Sequence, residues 1–172
     1  MLKVTSDISM SLDGFITDPK ASVGTPLEGN DPGRLHDWKF DAKTDADAKI
    51  VDELYASTGA VLIGKRMFDV GVEPWGDPPP FGMPVFVLTH EAREPQRMQG
   101  GTTYHFVTGI ETALEHARAA AGEKDVSIWG GANIIGQCLN GGSSRRSRFT
   151  SSRSCSVEGY ACSRISLRSR SN

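Results

Sequence analysis

At 172 residues and 38% hydrophobic composition, the chain is long enough for one domain with a real core and too short to favour two. Its formal charge of −2 divides unevenly: residues 1–142 carry 12 Lys and Arg against 20 Asp and Glu, and residues 143–172 carry 7 Arg against 1 Glu. The body therefore stands at −8 and the tail at +6, which argues against nucleic acid as a partner anywhere but the tail.

In chain order, residues 2–9 alternate, with Val4, Ser6 and Ile8 on one side, and this spacing predicts a first strand. Asp13-Gly14 in SLDGF turns the chain, and a stretch rich in Gly, Pro and Asp follows from about Thr17 to Lys39. A loop of that length inside a compact domain is more often functional than idle. TDADAKIVDELYASTG then predicts a helix. Thr44 is its N-cap, Asp45 and Asp47 suit the first turn, Ile50, Val51, Leu54 and Tyr55 form its apolar side, and Gly59 is its stop.

AVLIG is a continuous apolar run that fits a strand covered on both faces. GKRMFDVG begins with a helical turn and leads into the Pro-rich turn WGDPPPFGMP. PVFVLT and TTYHFVT predict two more strands. TGIETALEHARAAAG predicts a helix with a capping box of Thr108 and Glu111, an apolar row of Ile110, Leu114, Ala117 and Ala121, and Gly122 as terminator. DVSIWGG is a strand and glycine turn, and ANIIGQCLN a helix burying Ile134, Ile135 and Cys138. The order strand, helix, three strands, helix, strand, helix predicts an α/β domain with a mainly parallel sheet.

In such sheets ligands gather at the carboxyl ends of strands, where helix N-termini present free N–H groups. Three stretches have that character. In IWGGAN, Gly130-Gly131 would let backbone approach a pyrophosphate, although a plain tight turn has the same residues. In LIGKRMF, Lys65 and Arg66 follow Gly64 at a helix start, the unfavourable end for cations, which suggests a compensating anion such as a ribose 2′-phosphate; solvated surface charge is the other reading. In VLTH, Thr89 and His90 could bond a ribose or its phosphate, or simply end a strand. Asp13 could orient a substrate or move protons, or only make an Asp-Gly turn. Trp38 could stack on a planar heterocycle or plug a satellite core.

Other chemistries lack their residues. There is no GxSxG, no GxxxxGK[ST], no GxGxxG after a strand, and no His, Asp and Glu spacing suited to a metal. Cys138, Cys155 and Cys162 imply neither a disulfide framework nor a zinc site. No window reaches the eighteen or so apolar residues of a membrane span, and the first residues do not resemble a signal peptide, so a cytoplasmic protein is expected.

MSLDGFI, VLIGKRMFD, PVFVLTH and IWGGANI, in this order and spacing, resemble the dihydrofolate-reductase-like family. More narrowly they resemble the reductase domain of riboflavin biosynthesis, the C-terminal part of the bifunctional deaminase-reductase, and its stand-alone bacterial relatives. The resemblance covers roughly residues 1–140. It implies a three-layer sandwich around a central mixed, mainly parallel sheet, an extended NADPH, and hydride transfer to a C=N or C=O of a small heterocycle, of which 5-amino-6-(5-phosphoribosylamino)uracil is the namesake. By motif position, Gly64, Lys65 and Arg66 would meet the adenosine-side phosphates and Thr89 and His90 the ribose 2′-phosphate. Gly130, Gly131, Ala132 and Asn133 would cradle the pyrophosphate. Asp13, as the catalytic group, with Phe15 and Trp38 would face nicotinamide and substrate. Relatives are often homodimers. A nucleotide-binding protein without catalysis and an RNA-binding module acting through the tail are the rival readings.

The resemblance stops at Gly142, where the family continues with an amphipathic strand and a glycine turn. SSRRSRFTSSRSCSVEGYACSRIS stands there instead. With permitted codons, reading from one nucleotide earlier, the C of a GGC codon for Gly142, the same bases encode LVEKIQIHLVPVLFGGGLRLFEDL. This is the missing segment, and loss of one G from a run such as GGCGGGCTC produces the shift. Residues 1–142 are therefore read as the reductase domain lacking its last strands, and residues 143–172 as a disordered frameshift product. An RS-like nucleic-acid arm and a phosphoacceptor tail are the alternatives for seven Arg and eleven Ser in thirty residues.

Overall fold

The computed structural model describes residues 3–6, 8, 9, 39 and 44–140, with the backbone alone for Leu139 and Asn140. The expectations for Asp13, Phe15, Trp38 and residues 143–172 lie outside the described residues.

Six strands form one sheet: β1 (Val4–Ser6), β2 (Thr58–Gly64), β3 (Pro84–Leu88), β4 (Gln96–Arg97), β5 (Thr103–Val107) and β6 (Asp125–Ile128). Their spatial order is β1-β6-β2-β3-β5-β4. All neighbours pair in parallel except β4, which runs antiparallel to β5. Among the described residues, the helices α1 (Asp45–Ser57), α2 (Lys65–Trp75), α3 (Ile110–Ala121) and α4 (Ala132–Asn140) accompany them.

The continuous apolar strands bury both faces, as parallel strands between helices must. Ala60 and Leu62 of β2, Phe86 of β3, and Val126 and Ile128 of β6 pack on Ala113, Leu114, Ala117 and Ala121 of α3 and on Ile134 and Cys138 of α4. The opposite face sets Val61 and Ile63, Val85 and Val87, and Tyr104 and Phe106 against Phe68, Met67, Val72 and Trp75 of α2. The result is the expected three-layer sandwich. Leu62, Ile63, Val61, Val85 and Val87 are fully buried, and each contributes about 1.5–3 kcal/mol by leaving water. Inside the α3 layer Cys138 is buried, and that burial pushes its thiol up to about 11, with Arg118 pulling the other way.

Thr44 caps α1 as expected, its hydroxyl accepting the Asp47 N–H at 3.1 Å. No residue of α1 is buried, and Ile50 is 42% exposed. Val51, Leu54 and Tyr55 are half-buried, and the Tyr55 hydroxyl donates to the Pro80 carbonyl at 2.9 Å. Gly59 does not stop the helix, because α1 ends at Ser57 and Gly59 lies within β2, where the pairing with β6 slips between Thr58 and Ala60. An added Cβ at Gly59 would meet the Ala121 carbonyl oxygen and lie 2.8 Å from Ala121 Cα. Close approach of the α3 terminus, not helix termination, requires that glycine.

The capping box of Thr108 and Glu111 does not form. Gly109, at φ +82°, is the N-cap of α3, and no side chain caps that end. The expected row otherwise holds: Leu114, Ala117 and Ala121 are buried and Gly122 ends the helix at φ +64°. The turn expected after Gly64 is a full helix of 11 residues. Gly71 and Pro74 obscured it in the sequence. Gly71 leaves room for the Trp75 ring to fold back along α2, since a Cβ there would collide with that ring. The described first strand, Val4–Ser6, is shorter than residues 2–9, with Val4 and Ser6 on its buried side. Strand β4 was not expected.

Candidate functional site

The sheet has a point where the chain reverses its direction of winding. From β2 it passes through α2 to β3 on one side, and from β5 it returns through α3 to β6 on the other. Strands β2 and β6 are neighbours, but α2 leaves on one face and α4 on the other. A crevice between two diverging helices must open at the carboxyl ends of such a strand pair, and ligands collect there in open α/β sheets.

Backbone lines this crevice. The Gly64 N–H donates to the Gly130 carbonyl at 3.3 Å, and the Trp129 N–H to the Leu62 carbonyl at 3.1 Å, so the two strand ends are stitched together. Gly64 is the N-cap of α2, which has neither a side-chain cap nor an acidic residue in its first turn. Gly131 precedes α4 and accepts the Ile135 N–H at 3.4 Å, and α4 likewise lacks an acidic first turn. Two helix N-termini thus flank one strand junction, an arrangement that favours an anion. A Cβ built on Gly64 or Gly131 would meet nothing within 4 Å, so the backbone faces open space at both points. Gly130 sits at φ +123°, where a side chain would be strained, and its peptide bond to Gly131 is cis. Only at Gly130 does a side chain come near, the Met67 sulfur lying 3.5 Å from where a Cβ would stand.

The expected residues converge here in part. Gly64, Lys65, Arg66, Gly130, Gly131, Ala132 and Asn133 border the junction. The Lys65 ammonium bonds both carboxylate oxygens of Asp69 at 2.5 and 2.6 Å along α2. The Asn133 side-chain oxygen accepts from Gln137 at 2.6 Å, which leaves its amide group facing outward on an exposed residue. Thr89 ends β3 with its N–H on the Val107 carbonyl at 3.0 Å, and its hydroxyl accepts the Glu91 N–H at 3.2 Å. Thr89 is therefore buried and occupied in a turn, whereas His90 is exposed.

Aromatic and cationic side chains not singled out as site residues from the sequence lie near the carboxyl ends of the strands. The Trp129 indole donates to the Ser127 hydroxyl at 3.0 Å and meets Tyr55 edge-on at 5.5 Å and Phe81 at 5.1 Å. Burial raises the Tyr55 phenol. The Lys39 ammonium, next to Trp38 in the chain, lies 3.3 Å above the Trp129 ring. Arg93 lies over Phe106 with its guanidinium carbon 3.8 Å from the ring centre and 5.5 Å from Phe68. Trp129 stands inside IWGG, so its place in that motif was a usable signal, whereas the loop holding Arg93 has no periodic pattern. Among the described residues no group of His, Cys, Asp and Glu could hold a metal.

A mainly parallel sheet, helices on both faces and a glycine-lined crevice at the β2 and β6 ends define an α/β reductase fold of the dihydrofolate-reductase type. The model of one family, described as the RibD C-terminal domain, matches residues 2–151, and the chain belongs to that reductase family. The match runs nine residues past Gly142. Among solved structures, a protein described as a riboflavin biosynthesis protein from Shewanella sp. PV-4 is 20% identical, with a TM-score of 0.53 over 89% of this chain and 76% of that one. A dihydrofolate reductase from Enterococcus faecalis, complexed with NADP(H) and RAB-propyl, is 14% identical, with a TM-score of 0.51 over 92% of this chain and 76% of that one. No curated protein matches. No described helix is long and apolar enough to cross a membrane.

Proposed function

We propose that this protein is a cytoplasmic NADPH-dependent reductase that transfers hydride to a C=N or C=O of a small heterocycle, resembling 5-amino-6-(5-phosphoribosylamino)uracil reductase. The observation that carries the reading is the open backbone at Gly64 and Gly131, before α2 and α4, beside the joined ends of β2 and β6. NADPH would supply the hydride, and the protein's part is binding, orientation and exclusion of water. Backbone N–H groups after Gly64 and Gly131 would hold the pyrophosphate, with the glycines keeping Cβ atoms out of its path. Thr89 and His90 at the end of β3 would lie toward the adenosine side. Asp13, Phe15 and Trp38 are proposed for the nicotinamide and substrate side.

We also propose that residues 143–172 replace the segment encoded one nucleotide earlier. Two facts support this: the alternating pattern of that segment, and the place of β1, which among the described residues has one strand neighbour, β6. A further strand beside β1 would cover an edge that otherwise offers unpaired backbone groups.

The test is titration of NADPH into the chain as written and into a chain carrying the restored segment, followed by turnover with a panel of pyrimidines and pterins. The restored chain is expected to bind NADPH and oxidise it with one member of the panel, and the chain as written to be less stable and far less active. Binding without turnover of any heterocycle would favour a nucleotide-binding protein without catalysis. Failure of the restored, folded chain to bind NADPH would sink the reading.

A further inference from the structure

Met67 lies in the first turn of α2, the helix that begins at the crevice. It packs against the buried cluster of Val61, Ile63 and Phe68 and is itself half-buried. Its sulfur stands 3.5 Å from the position a Cβ on Gly130 would occupy, so it flanks the backbone that ties the end of β6 to the end of β2. Gly64, across the junction, and Gly131, next in the chain, face open space. Of these three glycines Gly130 alone has a side-chain neighbour, and that neighbour is oxidisable.

A thioether is soft and nearly apolar, so it sits beside an anion site without competing for its donors. Oxidation by hydrogen peroxide changes that. The sulfur attacks one peroxide oxygen, the S–O bond forms as the O–O bond breaks, and the hydroxide that leaves takes the proton of the transferred oxygen to become water. The sulfur gives up two electrons and the peroxide gains them. A sulfoxide oxygen is polar and only accepts hydrogen bonds, as phosphate oxygens do, and beside Gly130 it would oppose a pyrophosphate.

Position separates Met67 from Met83 and Met98. Met83 precedes β3, and Met98 donates its N–H to the Thr102 carbonyl just before β5, so both lie at the amino ends of strands, opposite the crevice. The Met98 sulfur also accepts the Gln96 side-chain amide at 3.3 Å. All three residues are half-buried, so what lies beside the sulfur distinguishes them, not exposure.

We infer that Met67 is an oxidation-sensitive modification site: conversion to its sulfoxide by a peroxide weakens dinucleotide binding, and reduction of the sulfoxide restores it. The inference rests on the cofactor reading above and adds a chemical control of the same crevice.

The experiment treats the chain as written and the restored chain with hydrogen peroxide, maps methionine sulfoxide by peptide mass spectrometry, and titrates NADPH before and after. Oxidation of Met67 should weaken NADPH binding by about 10-fold or more, the scale of a polar group left without a partner, and methionine sulfoxide reductase should restore it. NADPH present during treatment should slow oxidation of Met67 but not of Met83 or Met98, a protection that a purely structural role would not give. Met67→Leu, compared with its own untreated form, should lose the peroxide sensitivity. The protection measurement needs no variant and stands even where Met67→Leu does not fold. Undiminished affinity with Met67 oxidised, the same loss in treated Met67→Leu, or equal oxidation of Met67 with and without NADPH would overturn the inference and leave the cofactor reading intact. Failure of both untreated chains to bind NADPH would overturn the cofactor reading, and this inference with it.

Discussion

The Gly64 N–H donates to the Gly130 carbonyl at 3.3 Å, joining the end of β2 to the end of β6 across 66 residues of chain. The two glycines do different work there. Gly130, at φ +123°, needs its backbone freedom, whereas Gly131 has no positive φ and only open space before it. Gly130→Ala should therefore destabilise the fold by about 1–3 kcal/mol, the usual cost of forcing a side chain into such a conformation. Gly131→Ala should melt like the original protein yet bind NADPH more weakly, because its methyl enters the crevice. Thermal melting and NADPH titration on both variants check this, and the same loss of stability in both would contradict it.

Gly59 is held by packing. A Cβ at this position would overlap Ala121 backbone atoms at the end of α3, which cannot move aside as a flexible side chain can. Gly59→Ala should cost about 1–3 kcal/mol by overpacking, read as a lower denaturation midpoint in urea. An unchanged midpoint would mean that α3 shifts at no cost.

His105 stacks on Phe86 with ring centres 4.9 Å apart and planes 17° apart, and His116 of α3 lies near the same ring. Burial, and then the neighbouring His116, lower the pKa of His105 from its ordinary 6.5. The unfolded chain then takes up the proton more readily than the folded one. Stability from this group is present above about pH 6.5 and is lost as pH falls through that value toward the lower folded-state pKa. Melting temperature should fall from pH 7.5 to pH 5.5, and His105→Asn should reduce the slope. Parallel curves for the two proteins would refute the assignment.

Tyr104 is fully buried, and among the described residues its hydroxyl has no hydrogen-bond partner. Burial, with Asp77 adding to it, pushes its phenol up to about 12. Its ring earns its place by edge contacts with Phe68 at 5.0 Å and Phe81 at 6.1 Å. Tyr104→Phe keeps the ring and removes a hydroxyl whose desolvation costs about 1–3 kcal/mol, so the variant should be at least as stable as the original. A large drop in melting temperature would show that the hydroxyl is satisfied.

Resequencing the gene from native DNA across the codons for residues 138–148 tests the tail. One additional G in the glycine codons is expected, restoring LVEKIQIHLVPVLF after Gly142. The restored chain should also melt at a higher temperature than the chain as written. An unchanged gene sequence would make residues 143–172 the natural end of this reading frame.

The sequence by itself determined the strands β2, β3 and β5, because runs such as AVLIG and PVFVL are too apolar and too short for anything but a buried strand. It also determined α3 through Leu114, Ala117 and Ala121, and the glycine turn after β6, since periodicity and glycine punctuation are local signals. The dihydrofolate-reductase-like class followed from four short motifs read together. Only the tertiary structure decided what those residues face. Gly59 looked like a helix stop until α3 closed on it, and the apolar spacing of α1 produced no buried residue. Arg93 carried no signal until β5 brought Phe106 beneath it. Contacts of that kind depend on the strand order β1-β6-β2-β3-β5-β4, whose long-range pairings no window of sequence contains.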